Sequence, residues 1–374
     1  MSELYSGRGL TVSAGQGADL WDDKGKKYVD FMTGHGSSLF GHCHPELVSV
    51  AKVASQSPWS VGLGISSAPR DLFLNALRSL LPDGKAFLCN SGTESMEAAF
   101  KLVTARSGRR KILALRRAFH GRTMGALGLT FNPKYRKPWQ TSLYPVEHLS
   151  PEDLPGAVDE DTCAVFVEPV QGEGGVYPLD LEIGKAISKA CSKFDVPLVA
   201  DEIQSGWGRC GSLLASSQVG LEPDVVCLAK GVAGGFPVGA VVWKGWIGDF
   251  PIAGHGTTYG GNPFVSALGL ASWQLLQDRE YPLQASSKGS RFKEILGKLD
   301  SPILGEVRGM GLLLGVDTTV KSSELVKALQ DRGVLALPAG PKVLRFMPPF
   351  VAEDRHFNQA VEALKDVCDE LERR

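Results

Sequence analysis

Short, almost uniformly apolar runs recur along this chain with longer amphipathic stretches between most of them, and no other feature limits its folding as strongly. The runs are KAFLCN (85–90), KILALR (111–116), CAVFVEP (163–169), VPLVADE (196–202) and DVVCLAK (224–230). Each is too short for a helix and has the continuous apolar character of a strand covered on both faces. Between them, ESMEAAFKLVTAR (94–106) and EIGKAISKACSKF (182–194) carry apolar residues at helical spacing. Strands alternating with helices argue βαβ units around a mainly parallel sheet. In such folds the chemistry gathers at the carboxyl ends of the strands. Beyond about residue 275 the texture changes: SKGSRFKEILGKL predicts a helix, EVRGMGLLLGVD and KVLRFMPP predict strands, and a last helix is expected around 353–373. The expected organisation is an α/β fold with a large unit over 36–275 and a smaller one built from 276–374 together with 1–35. No internal repeat or low-complexity tract interrupts it.

The stretch VVCLAKGVAGGFPVGAVVW (225–243) contains one charge, Lys230. As a membrane span it would hold a lysine near its middle together with Gly231, Gly234, Gly235, Pro237 and Gly239, a composition that does not sustain a helix. Read as part of an α/β sheet, it is a buried strand whose end delivers Lys230 into a glycine-rich turn. With 40 basic and 41 acidic residues and a net charge of -1, nothing in the overall balance points to nucleic acid or a membrane surface. The seven cysteines are scattered without a C-x-x-C pair. The sequence opens MSELYSGRGL, which has neither an apolar signal core nor a basic amphipathic presequence. Reduced thiols and a cytoplasmic location are the expectation.

Three features combine into chemistry. VPLVADEIQSGWGR ends a strand in Asp201 and Glu202, DVVCLAK ends another in Lys230, and FLCNSGTES follows a strand with Ser91, Gly92 and Thr93 at a helix start. Singly, each has a plainer explanation: an Asp and a Lys at neighbouring strand ends make a structural ion pair, and Ser or Thr at a helix start makes an N-cap. Together they match the needs of pyridoxal 5'-phosphate, which uses a lysine for its aldehyde, a carboxylate for its pyridine nitrogen and an anion site for its phosphate. A flexible amine can both bond the aldehyde and return as a base. The carboxylate of Asp201 would keep the ring nitrogen protonated.

The chain resembles the class III pyridoxal-phosphate aminotransferases, the ornithine and acetylornithine type, over nearly its whole length. The resemblance rests on GHCHP (41–45), NSGTES (90–95), FHGRTMGAL (119–127), VEPVQGEGG (167–175), DEIQSGWGR (201–209), LAKGVAGGFPVG (228–239), HGTTYGGNP (255–263) and VRGMGLLLG (307–315). It implies the fold type I architecture, with a mainly parallel seven-stranded sheet in the large domain. It also implies that Lys230 is the Schiff-base lysine and Asp201 the pyridinium partner. Gln204 would meet the phenolic oxygen, Gly92 and Thr93 the phosphate, and Phe119 one face of the ring. Thr258 would reach the phosphate of a neighbouring subunit, in a homodimer with the site at the interface. Arg122 and Arg345 match the family's carboxylate-binding arginines, and Glu173 is the acid able to cover Arg345 until 2-oxoglutarate arrives.

LYSGRGLTV, NPKYRKPW and VLALPAGPKVLRFMPP look closest to enzymes of the prokaryotic aminoadipate route to lysine. These act on lysine or ornithine tethered through the α-amino group to a small acidic amino-group carrier protein, with glutamate as the other product. N-acetylornithine aminotransferase of arginine biosynthesis is the alternative, and a same-fold aminomutase or racemase and a non-catalytic pyridoxal-phosphate-binding protein are the readings from other classes. His35 stands where ornithine aminotransferases have a tyrosine for free ornithine, and it could touch an acidic tether or be an ordinary loop histidine. Basic residues Arg106, Arg109, Arg110, Lys111, Arg116, Arg117, Lys134, Arg136 and Lys137 are read as solvated surface, with a docking face for an acidic partner as the sharper alternative. His35, His42, Cys43 and His44 match no zinc spacing, so no metal is expected. The glycines of GMGLLLG fall inside a strand, which argues against dinucleotide binding. No G-x-S-x-G nucleophile elbow occurs.

Overall fold

A computed structural model describes residues 7–373; residues 1–6, which begin the expected 1–35 segment and include the start of LYSGRGLTV, and residue 374 lie outside the described residues. The central sheet has seven strands in the order Gly84–Cys89, Gly239–Lys244, Val225–Ala229, Leu198–Asp201, Thr162–Val167, Lys111–Leu115 and Glu147–Leu149. All pair in parallel except Gly239–Lys244, which runs antiparallel to both neighbours. Of the seven strands, the sequence reading missed this one and the short edge strand Glu147–Leu149; in Gly239–Lys244 the apolar residues continue straight on from the glycine-rich turn, and an uninterrupted apolar run carries no period to separate strand from turn. A second departure concerns the link from Asp201 to the lysine strand. It holds only the 3-10 turn Ala215–Gln218 instead of a crossover α-helix.

The interior strands are apolar throughout because both sheet faces are covered. On Thr162–Val167, Ala164 and Phe166 pack with Met96, Ala99 and Leu102 of the helix Gly92–Ser107. Val165 and Val167 face the other way, toward Ile187 and Cys191 of the helix Leu181–Lys193. The Val, Leu, Ile, Met and Phe side chains among them contribute roughly 1.5–3 kcal/mol each on leaving water. Both helices are capped by the residues that open them. Ser91 Oγ accepts from the Glu94 N–H at 3.3 Å, and Asp180 accepts from the N–H groups of Glu182 and Ile183 at 2.9 and 3.1 Å.

The remaining strands come from the two ends of the chain. Val12–Gln16, Asp19–Asp22 and Lys27–Asp30 form a meander that Val334–Leu335 joins in parallel. Leu304–Met310, Leu313–Thr318, Val343–Phe346 and Leu337–Pro338 form a separate antiparallel sheet. The helix Asp354–Glu372 buries Phe357, Ala360 and Leu364 against Phe31 and Phe346 in the same apolar cluster. No helix among the described residues is long and apolar enough to cross a membrane. The GHCHP histidines have structural partners, His42 Nε2 lying 2.8 Å from Asp30 and His44 Nε2 3.2 Å from the Tyr281 hydroxyl.

Candidate active site

The lysine strand Val225–Ala229 is fully buried, and the chain leaves it through a left-handed residue, Lys230 at φ 52, before turning at Gly234. Asp201 ends the adjacent strand in register with Cys227, so amine and carboxylate share one sheet edge. The two acids at that strand end separate. Asp201 lines a cavity, whereas Glu202 turns inward and accepts from Ser205 Oγ at 2.6 Å and from Ser216 N and Oγ at 2.7 Å. Burial pushes the Glu202 carboxyl up against the pull of those bonds, and its task is to hold the loop.

The cavity measures about 430 Å³ and is lined by Lys230, Asp201, Gln204, Phe119, Thr93 and Arg122 among others; that lies within the usual span for small-ligand sites, roughly 300–1,000 Å³. Gly92 also lines it, at the first turn of the helix Gly92–Ser107, where backbone N–H groups lack intrahelical partners. Thr93 Oγ1 lies 2.7 Å from Thr123 Oγ1, adding hydroxyls to the same corner. A Cβ on Gly121 would run into Thr93 Oγ1 and one on Gly172 would overlap Gln204 Oε1, so both backbones are pressed against the groups they frame.

Burial pushes the Lys230 amine down to about 8, opposed by Glu173 and reinforced by Arg345. Glu173 Oε1 stands 2.7 Å from Arg345 Nη2. Burial alone would raise the Glu173 carboxyl, but Arg345 and Lys230 outweigh it and hold it below its ordinary value. Arg345 is itself buried, does not line the cavity, and also donates to Gln204 Oε1 at 3.0 Å. Arg122 is exposed at the mouth over the rings of Tyr135 (4.7 Å) and Phe119 (6.0 Å), and among the described residues it has no carboxylate partner.

Thr258 stands apart: it is exposed and does not border the cavity of its own chain. The basic residues also divide. Arg109 donates to the Thr162 and Phe194 carbonyls, Lys111 pairs with Asp159, and Arg106 lies over Trp246. Arg117 lies over Tyr177, and Arg116 and Arg136 both bond His148. Lys134 and Lys137 stay exposed, on either side of Tyr135 and Arg136.

Two residues that the sequence reading left without a role belong to the site. His120 is buried with Nδ1 2.7 Å from Asp201 Oδ2, while Asp201 Oδ1 accepts from the Ile203 N–H at 3.1 Å. Glu168 borders the cavity and accepts from the Phe119 N–H at 2.8 Å; burial and the Asp201 charge hold its carboxyl well above the usual carboxylate range. Glu168 follows an apolar strand as Asp201 ends one, so the same strand-end signal could have found it. His35 occupies a left-handed turn in which Thr33, Gly34, His35 and Gly36 have φ 43, 56, 58 and 94. Part of the residue reaches solvent, yet the protein packed around the ring lowers its imidazole, with Glu173 opposing and Arg345 and Lys230 assisting.

The donor set suits pyridoxal phosphate: an amine and a carboxylate on one edge, hydroxyls and free N–H groups at a helix start, and an aromatic ring in the wall. Gln204 Nε2 is a buried N–H without a partner among the described residues, a donor that a phenolic oxygen would satisfy.

Comparison with known proteins agrees with this chemistry. The sequence profile of the aminotransferase class-III family matches residues 5–368. The LysW-aminoadipate semialdehyde/glutamate semialdehyde transaminase of Sulfolobus acidocaldarius is 38% identical over 97% of this chain and 96% of its own length. The LysW-aminoadipate semialdehyde transaminase of Deinococcus radiodurans is 38% identical over 99% of this chain and 88% of its own. The acetylornithine aminotransferase of Bacillus cereus is 34% identical over 98% and 96%. Among solved structures, the ornithine aminotransferase of Toxoplasma gondii superposes with a TM-score of 0.93 at 27% identity, covering 100% of this chain and 94% of that one.

Proposed function

The chain belongs to the class-III aminotransferases, and from that premise we propose that it exchanges the terminal amino group of a carrier-bound, α-N-blocked lysine or ornithine with 2-oxoglutarate. The products are glutamate and the semialdehyde, in lysine or arginine biosynthesis. The observation that carries this reading is the 2.7 Å Glu173–Arg345 contact beside Lys230. A donor whose reacting end is an alkyl amine with no carboxylate beside it leaves that pair closed, whereas a five-carbon diacid needs Arg345 released. Relatives named for LysW-linked substrates at 38% identity support the carrier-bound donor, and the acetylornithine aminotransferase at 34% keeps N-acetylornithine as the second reading.

Pyridoxal phosphate, when bound, supplies an aldehyde that holds an amine and a ring that takes up the electron pair left by a departing proton. The chain's residues do the rest. Lys230, with its amine near 8, has an appreciable unprotonated fraction at neutral pH and can take and return a proton through Nζ. Asp201 presents its carboxylate at the strand end, oriented by His120 and the Ile203 N–H. Gln204 lines the cavity and keeps a buried N–H without a protein partner among the described residues, and Phe119, tied to Glu168 through its backbone, excludes water from one side. Arg122 is the group for a carboxylate at the far end of the donor, and Gly92 and Thr93 are those for the phosphate.

A homodimer completes the site in this reading. Phe236 lines the cavity and also meets Phe264 (ring centroids 5.5 Å apart), which meets the exposed Trp59 at 6.3 Å. The cavity wall thus runs into an apolar face of the kind that associates, near the exposed Tyr259 and Thr258.

Glutamate formation from 2-oxoglutarate is the test, with carrier-bound lysine, carrier-bound ornithine, N-acetylornithine and free ornithine at equal low concentration. A dominant kcat/KM for the carrier-bound donors is expected; a dominant value for N-acetylornithine would move the enzyme to the second reading. His35, whose imidazole feels the charges of Glu173, Arg345 and Lys230, is assigned to the tether. His35→Ala should raise KM for the carrier-bound donor alone, and unchanged kinetics with that donor would remove the assignment.

A further inference from the structure

Glu173 sits at the tip of a short hairpin made by Val170–Gln171 and Tyr177–Pro178, closed by a bond from the Val176 N–H to the Gln171 carbonyl at 2.9 Å. This tip rests on the C-terminal antiparallel sheet in a specific register. Arg308, Gly315 and Arg345 lie directly opposite one another on three neighbouring strands. Directly opposed residues face the same side of a sheet. A Cβ on Gly315 would come within 2.9 Å of Val176 Cβ, so that side is the one facing the hairpin and the missing side chain is what lets the tip down.

The two arginines grip the tip on either side of that glycine. Arg345 takes the Glu173 carboxylate at 2.7 Å. Arg308 Nε donates to the Gly175 carbonyl at 2.9 Å, its guanidinium lies 4.0 Å over the Tyr177 ring, and Nη2 bonds Asp317 at 2.7 Å. The Arg308 side chain is 6% exposed. The two holds differ in what can displace them. A substrate carboxylate can replace Glu173 on Arg345, but no carboxylate competes with a backbone carbonyl already fixed by a buried guanidinium.

We propose that Arg308 is the positioning residue of the Glu173–Arg345 gate. It fixes the hairpin tip so that Glu173 returns to Arg345, and so sets how strongly the site resists a five-carbon diacid. The inference rests on the assignment of 2-oxoglutarate as acceptor. Arg308 acts through Glu173, without touching substrate.

The test is calorimetric binding of glutarate, an unreactive five-carbon diacid, to the cofactor-loaded enzyme. Wild type, Arg308→Ala, Arg308→Lys, Glu173→Gln and the Glu173→Gln/Arg308→Ala double variant are compared. Loosening the tip weakens the competitor for Arg345, so Arg308→Ala should tighten glutarate roughly three- to tenfold. Arg308→Lys, which keeps a charge toward Asp317 but loses the Nε donor, should act in the same direction and serves if the alanine variant does not fold. Glu173→Gln should tighten binding at least as much, and adding Arg308→Ala to it should then change nothing further. An Arg308 effect of equal size in both backgrounds, or none in the wild-type background, overturns the proposal. Absence of glutarate binding in wild type and in Glu173→Gln alike would instead defeat the diacid assignment on which it rests.

Discussion

Lys230 is a cation placed where its charge is least favoured, and several consequences follow at the scale of single residues. Its folded pKa of about 8 lies below the ordinary 10.5, so between those values the unfolded chain binds more protons than the folded one. The burial of this amine therefore disfavours folding below about pH 8, and the penalty fades as pH rises through 8 toward 10.5. Cofactor-free Lys230→Ala should accordingly be more stable than cofactor-free wild type near pH 7, with the gap in denaturant unfolding narrowing toward pH 10.5. A pH-independent gap would mean the amine is not perturbed. The same variant is expected to lose transamination while remaining folded. His120 acts one step back from the chemistry, holding Asp201 at 2.7 Å. Removing a hydrogen bond to a charged group costs about 1.5–3 kcal/mol. His120→Leu should lower kcat by roughly ten- to a hundredfold, with a smaller effect on KM and a shifted pH dependence of the visible cofactor band. An unchanged band would leave His120 as packing only.

Among elements, the helix Gly92–Ser107 joins stability to cofactor retention. Ser91 Oγ caps it through the Glu94 N–H and also donates to the Glu94 carboxylate at 3.0 Å. Losing such a cap costs about 1 kcal/mol. Ser91→Ala should lower the melting temperature by a few degrees and weaken cofactor binding, measurable by melting the loaded and cofactor-free enzyme in parallel. Equal losses in both forms would mean that the cap does not serve the phosphate corner. The segment around Pro133–Arg136 allows a second comparison. Its exposed Lys134 and Lys137 flank Tyr135 and Arg136, and Tyr135 lies beneath Arg122 at the mouth. If an acidic carrier docks here, charge reversal at both lysines should raise KM for carrier-bound donors several-fold at low salt and leave N-acetylornithine unaffected, the difference shrinking as salt is added. Equal effects on both donors would return these lysines to ordinary solvated surface.

For the molecule as a whole, the exposed Trp59 (66% exposed), packed on Phe264 beside the cavity-lining Phe236, presents an apolar surface of the kind that associates. Trp59→Glu is expected to shift the protein toward monomer in sedimentation velocity and to lower activity at the dilution where the dimer separates; a wild-type monomer would end the shared-site reading. Much of the architecture was legible beforehand. Buried strands such as Thr162–Val167 and helices such as Leu181–Lys193 follow from apolar runs and helical spacing, both local properties of the chain. The strand Gly239–Lys244 was not legible, because an apolar run continuing from a turn has no period of its own. Nor was the helix-free link between Asp201 and the lysine strand, where parallel pairing held without the usual crossover. At the site, sequence selected residue types, a lysine and an aspartate at strand ends and hydroxyls at a helix start, and the family resemblance added the arginines for carboxylates. Apart from the Asp201–Lys230 edge and the Glu173–Arg345 pair that the resemblance implied, relations between distant segments were beyond the sequence. Glu202 turns away while Asp201 faces the cavity, His120 reaches Asp201 from 81 positions away, and Arg308 and Arg345 straddle one hairpin tip across Gly315. Local sequence determines what a segment can be because backbone preference and burial act over a few residues. Which side chains meet is decided by sheet register and packing, which bring together groups that the chain itself keeps far apart.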